Sequence, residues 1–245
     1  MKKTMAKKYF NNFLELPKKI IRLILVFLIQ QNESNTSSVL FFDDEKRQKI
    51  METIKEIRKE SNLLLVNHEA YQLYMLVKNS EKIKGDIAEV GVYKGGSAAI
   101  ISEAKGKKTL YLFDTFEGIP KVDKYDSPNF FKGQYSSSLK EVSNYLINYK
   151  KYKDIFIYKG IFPNSAPKIK NNKFSFVHLD VDTYKSTKDC LDYFYPRMAK
   201  GGIILSHDYL NEHGGVKKAI KDFFNNKKET IVEVSPGYQC LVVKL

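Results

Sequence analysis

The chain has 245 residues, 43% of them apolar and 28% charged, with a formal net charge of +13. That length holds one catalytic domain with some extra helix but not two large domains, and the composition is that of an ordinary globular protein, for which disorder is not the default. The two cysteines, Cys190 and Cys240, stand far apart with no CxxC partner, which disfavours a disulfide framework or a zinc site and fits a reduced, cytoplasmic setting. The lysines that carry the charge are scattered. They suit acidic partners such as phosphorylated glycans or anionic lipid, or they serve only to keep the protein in solution. They form no recognisable nucleic-acid module, so no nucleic-acid partner is expected.

From the N-terminus, Lys2, Lys3, Lys7 and Lys8 precede a run over 20–29 that is apolar except for Arg22. A membrane-crossing helix needs roughly 20 apolar residues, so this run is too short to span. Gln30-Gln31-Asn32-Glu33 supplies no small-residue cleavage site, which disfavours a secretory signal. A helix packed on the domain or on a partner is the favoured reading, with self-association open to it. A basic helix lying on a membrane surface is the other. Polar, turn-forming residues over 31–44 then read as a linker, dividing an appendage at 1–43 from a domain at 44–245.

Beyond the linker, apolar residues return at helical spacing: Ile50, Ile54 and Ile57 in one stripe, Leu73, Leu76 and Val77 in another. Two helices laid against a core are expected. The period then changes. Short apolar runs at 86–90, 109–113, 155–158, 174–179 and 202–205 alternate with helical stretches, the pattern of a parallel sheet covered on both faces. Runs at 230–234 and 239–243, joined through Ser235-Pro236-Gly237-Tyr238, read as an antiparallel hairpin. The expected fold is α/β: a doubly wound, mostly parallel seven-stranded sheet with a C-terminal antiparallel hairpin, plus N-terminal helices. Ligands of such sheets lie beyond the carboxyl ends of the strands, so the residues just after each strand are the ones to read.

The first strand ends in Glu89-Val90-Gly91-Val92-Tyr93-Lys94-Gly95-Gly96-Ser97. Gly91 permits a tight turn, and Gly95 and Gly96 would let a ligand approach the backbone where a helix begins. The spacing is not GxGxxG, which disfavours a pyrophosphate cradle and with it a nicotinamide-dependent oxidoreductase. A ligand without phosphate, such as an amino-acid tail over a helix N-terminus, suits the loop better; a plain strand-to-helix turn is the simpler alternative. The second strand ends in Phe113-Asp114-Thr115-Phe116-Glu117-Gly118. Asp114 falls about 20 residues after the glycine turn, placed to accept hydrogen bonds from ribose hydroxyls, with Phe116 against a base. Helix capping is its competing role.

Two later strands end in His178-Leu179-Asp180-Val181-Asp182 and Ser206-His207-Asp208. Asp180, Asp182, His207 and Asp208 are thus directed to one crevice. Carboxylates crowded together repel, so such a group serves a cation, proton transfer, or both. Oxygen-rich ligands favour Mg²⁺, Mn²⁺ or Ca²⁺ over zinc. The plainer use of Asp182 or Asp208 is to cap the next helix. His178, inside an apolar run, reads as a core histidine.

Three blocks, from Gly85 to Ser97, from Leu112 to Pro120 and from His178 to Thr187, resemble the macrocin O-methyltransferase (TylF/MycF-like) family in order and spacing. The likeness runs from about Asn62 to the C-terminus. It implies a Rossmann-like methyltransferase fold, S-adenosylmethionine as cofactor, a divalent metal and a sugar hydroxyl as acceptor. Carried over by position, Glu89, Gly91 and the loop of Tyr93, Gly95, Gly96 and Ser97 would line the methionine portion of the cofactor. Asp114 would bind the ribose, with Thr115 and Phe116 beside the nucleoside, and Asp180 matches the family's metal-binding aspartate. Members with a proven metal carry two adjacent carboxylates where this chain has His207-Asp208.

The reaction so implied moves a methyl group onto a hydroxyl of a sugar or glycan-linked small molecule by in-line displacement. Positioning supplies roughly 7–11 kcal/mol of such a barrier, and a placed base on the order of 10²- to 10⁴-fold in rate. Either His207 takes the hydroxyl proton, or an ion such as Mg²⁺ on Asp180, His207 and Asp208 acidifies it; the metal route, with His207 close by, is favoured. Lys124, Tyr125, Phe130, Phe131, Lys132 and Tyr135 fall in a long insertion after the second strand. They read as a lid for a sugar bearing a negative group, or as a loop stuck down by its aromatics. A non-catalytic adaptor on an anionic membrane or nucleic-acid surface is the rival class, and the intact pocket residues argue against it.

Overall fold

The computed structural model describes residues 20, 44–166, 169, 172–210, 214–234 and 238–245. The expected N-terminal helix (apart from Ile20), the linker up to residue 43 and the turn at 235–237 lie outside the described residues. The chain divides into two compact units, Met1–Phe41 and Phe42–Leu245, and the sheet with its helices belongs to the second. Among the described residues no helix is long and apolar enough to cross a membrane.

Helix α1 (Glu45–Ser61) starts at Asp44, whose carboxylate accepts the Arg47 N–H at 2.9 Å, and stops at Asn62, which takes a left-handed conformation at φ 52°. Those are the cap chemistries expected of Asp and Asn. Its stripe of Ile50, Ile54 and Ile57 is buried, with Met51 beside it. Helix α2 (Asn67–Asn79) buries Ala70, Leu73 and Val77, and with them Glu69; Leu76 is only half-buried.

Strand β1 (Asp86–Val90) follows, then α3 (Gly96–Ala104), β2 (Leu110–Asp114), and α4 (Leu139–Ser143), which runs on as a wider π turn over Asn144–Tyr149. Next come β3 (Ile155–Lys159), β4 (Phe174–Leu179), α5 (Tyr184–Phe194), β5 (Met198–Ser206), α6 (Gly215–Phe224), β6 (Val232–Val234) and β7 (Gln239–Val243). They form one seven-stranded sheet in the order β3-β2-β1-β4-β5-β7-β6. Strands β1 to β5 pair in parallel, and β7 runs antiparallel to both β5 and β6. The last strand therefore inserts between β5 and β6 instead of closing the edge.

Burial follows position in this order. Strand β4, in the middle, is buried at every residue, whereas β3 and β6 at the edges are half-exposed. That gradient is the physical reason the central runs are continuously apolar. One face packs under α5 and α6, where the Phe162 and Phe194 rings stack at 5.0 Å and Phe113 meets Phe162 edge-on at 5.0 Å. The chain builds outward from β1 through β2 to β3, then returns to β4 on the other side of β1. The strand order reverses between β1 and β4, where loops leave in opposite directions and open a crevice.

Candidate active site

A cavity of about 310 Å³ opens at that reversal point. One wall is acidic, made by Asp114 at the end of β2, Asp180 and Asp182 after β4, and His207 and Asp208 after β5. The rest of the lining is largely apolar and includes Leu64, Leu65, Ile119, Phe162, Val181 and Cys190. Among the described residues that line it, none is lysine or arginine. In a chain of net charge +13 the cavity wall is thus of the opposite sign.

The floor comes from the first strand end. Gly91 has φ +88°, and a Cβ on it would lie 1.7 Å from the Asp180 carbonyl oxygen, so only glycine lets β1 and β4 hand over side by side. Asp114 organises the loop above. One carboxylate oxygen accepts the N–H groups of Val92 at 2.7 Å and Tyr93 at 2.9 Å, and the other accepts that of Phe116 at 2.6 Å. β2 leads into a loop, so the helix-capping alternative for Asp114 is replaced by this cross-link between two strand ends. Each carboxylate oxygen has two lone-pair sites, so acceptor capacity is left on the carboxylate for a ligand hydroxyl.

Of the residues singled out from sequence for the site, Gly91, Tyr93, Asp114, Thr115, Asp180, Asp182, His207 and Asp208 line the cavity. Glu89, Gly95, Gly96, Ser97 and Phe116 stand outside its wall. The space left by the missing Cβ atoms of Gly95 and Gly96 faces protein: Val142 at 3.4 Å for the first, Leu63 and Ser61 at 2.9 Å for the second. Gly96 thus lets the start of α3 pack closely against Leu63 and Ser61. Glu89 is fully buried and holds His178 Nδ1 at 2.8 Å across the β1–β4 pair. Its Oε2 and His178 Nε2 find no partner among the described residues.

At the acidic wall, His207 Nδ1 is 3.1 Å from Asp208 Oδ2 and 3.4 Å from Asp180 Oδ1. Burial pushes the Asp180 carboxyl up to about 6, with His207 opposing the rise and Asp208 adding to it. Asp182 goes well above the carboxylate range, through burial and then through Asp208 and Asp180. For His207 burial favours the neutral ring, yet Asp180, Asp208 and Glu69 together outweigh it and the net displacement is upward. Asp182 and Asp208 both sit at positive φ, 58° and 59°, a conformation Asp tolerates better than most side chains. Neither begins a helix: α5 starts at Tyr184 and α6 at Gly215.

Sequence reading missed two carboxylates. Glu69, near the start of α2, lies 3.5 Å from His207 Nε2. Its only local signal is an acidic residue in the first turn of a helix whose N-cap, Val66, has no polar side chain. Asp126 in the long insertion accepts the Tyr184 N–H at 2.7 Å, capping α5 from outside, while Tyr125 packs on the Tyr184 ring at 4.8 Å. The insertion is pinned to α5, and of the six aromatics and lysines proposed for a lid only Tyr135 lines the cavity. The Lys124 ammonium rests over Tyr125 instead.

A seven-stranded sheet of this order with a cavity at its reversal point is the Rossmann-like methyltransferase architecture. The structure is similar to that of the O-methyltransferase NovP, with a TM-score of 0.66 over 81% of this chain and 98% of that one at 16% identity. It is also similar to CalS11, a calicheamicin methyltransferase, with a TM-score of 0.61 over 86% and 99% of the two chains at 17% identity. The family model for macrocin O-methyltransferase (TylF) matches residues 1–234, and the chain belongs to that family. The match extends N-terminal to the region where the sequence motifs begin.

Among curated relatives, the chain is 29% identical over 143 residues to the mycinamicin III 3''-O-methyltransferase of Micromonospora griseorubida, covering 52% of this chain and 56% of that protein. It is 27% identical over 146 residues to a tetracenomycin 4'-O-methyltransferase of Streptomyces olivaceus, covering 53% and 55%. The chain thus spans about half the length of the curated relatives it matches.

Proposed function

We propose that the chain is an S-adenosylmethionine-dependent O-methyltransferase, with residues 44–245 as its catalytic domain and a hydroxyl of a sugar or glycan-linked small molecule as acceptor. The observation that carries this reading is a cavity in a strongly basic protein whose lining joins a carboxylate cluster to apolar side chains and holds no lysine or arginine. A pyrophosphate cofactor would meet repulsion there, whereas a sulfonium cation joined to an adenosyl group matches both surfaces. S-adenosylmethionine, when bound, supplies a methyl group on a positively charged sulfur. Asp114 is suited to a ribose hydroxyl, since backbone donors fix the carboxylate in place and leave one acceptor site on Oδ1. Sugar-directed relatives of the same family support the acceptor class.

The acceptor hydroxyl must lose its proton during attack, and Asp180, His207 and Asp208 are the groups able to manage it. Their spacing fits a divalent ion, because ligands at right angles with bonds of about 2.1 Å lie about 3 Å apart. Such an ion, Mg²⁺ in our reading, would acidify the hydroxyl. The cavity residues themselves exclude water and hold the acceptor oxygen beside the cluster. Methyl transfer from labelled S-adenosylmethionine into a panel of glycosides, with added Mg²⁺ and with chelator, tests this directly. We expect transfer that fails in chelator; transfer that persists there assigns the proton to His207 alone, and no transfer to any hydroxylated acceptor would overturn the proposal.

A further inference from the structure

Leu64, Tyr135 and Ile161 line the cavity and are also exposed, so its rim is apolar where it meets solvent. Of the three, only Tyr135 joins a flat aromatic face to a polar tip. Its backbone lies at φ 61°, a left-handed conformation that a bulky side chain keeps only when its surroundings enforce it. The enforcement comes from the base of the long insertion, where two passes of the chain run side by side. The Ile119 N–H donates to the Gln134 carbonyl at 2.8 Å, the Gly133 N–H to the Ile119 carbonyl at 2.9 Å, and the Ser137 N–H to the Phe116 carbonyl at 3.4 Å. Gly118 permits that approach, since a Cβ on it would lie 2.3 Å from the Gln134 carbonyl oxygen. The ring so held meets Tyr93 edge-to-face at 6.2 Å and 84°, and at 41% exposure Tyr135 keeps ring surface open. Burial, then the charges of Asp182, Asp208 and Asp180, raise the pKa of its hydroxyl, which sets that tip on the carboxylate side of the cavity.

We propose that Tyr135 is a specificity-determining residue: the platform on which an uncharged sugar ring of the acceptor stacks, bringing one of its hydroxyls to the carboxylate cluster. A pyranose presents a face of C–H groups ringed by hydroxyls, and an aromatic face with a polar tip matches both. The charge of that ring follows from the same surroundings. Lys124 and Lys132, expected from sequence to meet a negative group, do not line the cavity, and among the described lining residues no other lysine or arginine does so. A uronate or a sugar phosphate would meet Asp180, Asp182 and Asp208 without a compensating cation. The left-handed backbone then has a use, because the paired base of the insertion fixes the ring in the cavity wall before any acceptor arrives. The inference rests on the proposed methyl transfer to a sugar, and its test separates the two.

The test is saturation-transfer NMR of methyl rhamnoside, methyl glucoside and methyl glucuronide on the full chain with S-adenosylhomocysteine, irradiating the protein's aromatic protons. We expect the ring C–H protons of a neutral pyranoside to be saturated and those of the glucuronide not. Tyr135→Phe keeps the ring and should keep the signal. Tyr135→Asn removes the ring with a residue that suits the left-handed backbone. It should lower the signal and raise the KM for the acceptor roughly 3- to 10-fold, with kcat and the melting temperature near wild type. A signal as strong in folded Tyr135→Asn, or a glucuronide saturated as well as the neutral rings, would overturn the proposal. So would loss of the fold along with the ring, which would make Tyr135 an anchor of the insertion. No saturation of any pyranoside on a protein that binds S-adenosylhomocysteine would overturn it too and leave the cofactor reading standing. Saturation that depends on the Tyr135 ring without methyl transfer would remove the proposed reaction and leave the platform.

Discussion

The two ends of the sheet are built on opposite principles. At the amino ends of the strands, buried polar groups are tied to one another. The Lys108 ammonium binds the carbonyls of Ile83 and Gly85, the latter at 2.8 Å, and Ser175 Oγ at 3.0 Å. Asn172 bridges Asp86 and the Tyr111 hydroxyl, both at 2.9 Å. At the carboxyl ends, Asp180, Asp182 and Asp208 crowd one cavity, and Tyr93, Asp182 and Asp208 line it with positive φ. The first end ties the loops that feed the sheet. The second gathers three carboxylates round one histidine in a cavity, the kind of arrangement by which active sites shift the titration of their groups.

Substitutions at the two ends should therefore separate activity from stability. The largest effect is expected at Asp180→Asn, which should lower turnover by about 10²- to 10⁴-fold while leaving cofactor affinity and the melting temperature near wild type; a folded, active variant would break the assignment of the acidic wall. Gly91→Ala comes next. It must displace the Asp180 carbonyl and hold alanine at positive φ, so about 1–3 kcal/mol of stability and the binding of cofactor should fall together, read by denaturant titration and calorimetry.

At the other end, Lys108→Met leaves the Ile83 and Gly85 carbonyls without their cation. The expected loss is about 1–3 kcal/mol in denaturant titration with kcat unchanged below the melting range; a fall in kcat would dissolve the division between the ends. The smallest effect belongs to Glu229, whose carboxyl is held down at about 2. Burial opposes this, but Lys244 at 2.7 Å, Tyr195 at 2.8 Å and the Leu245 N–H outweigh it. Because the folded value lies below the unfolded one of about 4.3, the contribution is present above that pH and lost as pH falls toward 2. Glu229→Gln should remove this acid dependence and about 1 kcal/mol at neutral pH, seen as melting curves that converge with wild type in acid.

Local pattern made much of this legible. The runs at 86–90, 174–179 and 239–243 are strands with those bounds, because apolar residues predominate in each and turn residues stand nearby. Strand β5 runs from Met198, earlier than the expected 202: Lys200, Gly201 and Gly202 interrupt the apolar signal, and the register with β4 shifts there, from Phe174 opposite Met198 to Phe176 opposite Ile203. The insertion of β7 between β5 and β6 has no trace in a hairpin pattern, which fixes pairing between neighbours and not order in the sheet.

The site divides in the same way. Asp114, Asp180, His207 and Asp208 were readable because they follow strands, and topology brings strand ends together. Glu69 was not, because it enters from a helix far away in sequence and resembles an ordinary first-turn acid. At Gly95 and Gly96 glycine marks close approach without saying whether ligand or protein approaches, and the space of a Cβ there meets protein.

The most direct test is calorimetric titration of the folded protein with S-adenosylmethionine. Saturable binding at one site, weakened in Asp114→Ala and kept in Asp180→Asn, is the result expected of a cofactor cavity at the β1–β4 reversal. A folded protein that takes up none would contradict it and leave the family's architecture here without the family's chemistry.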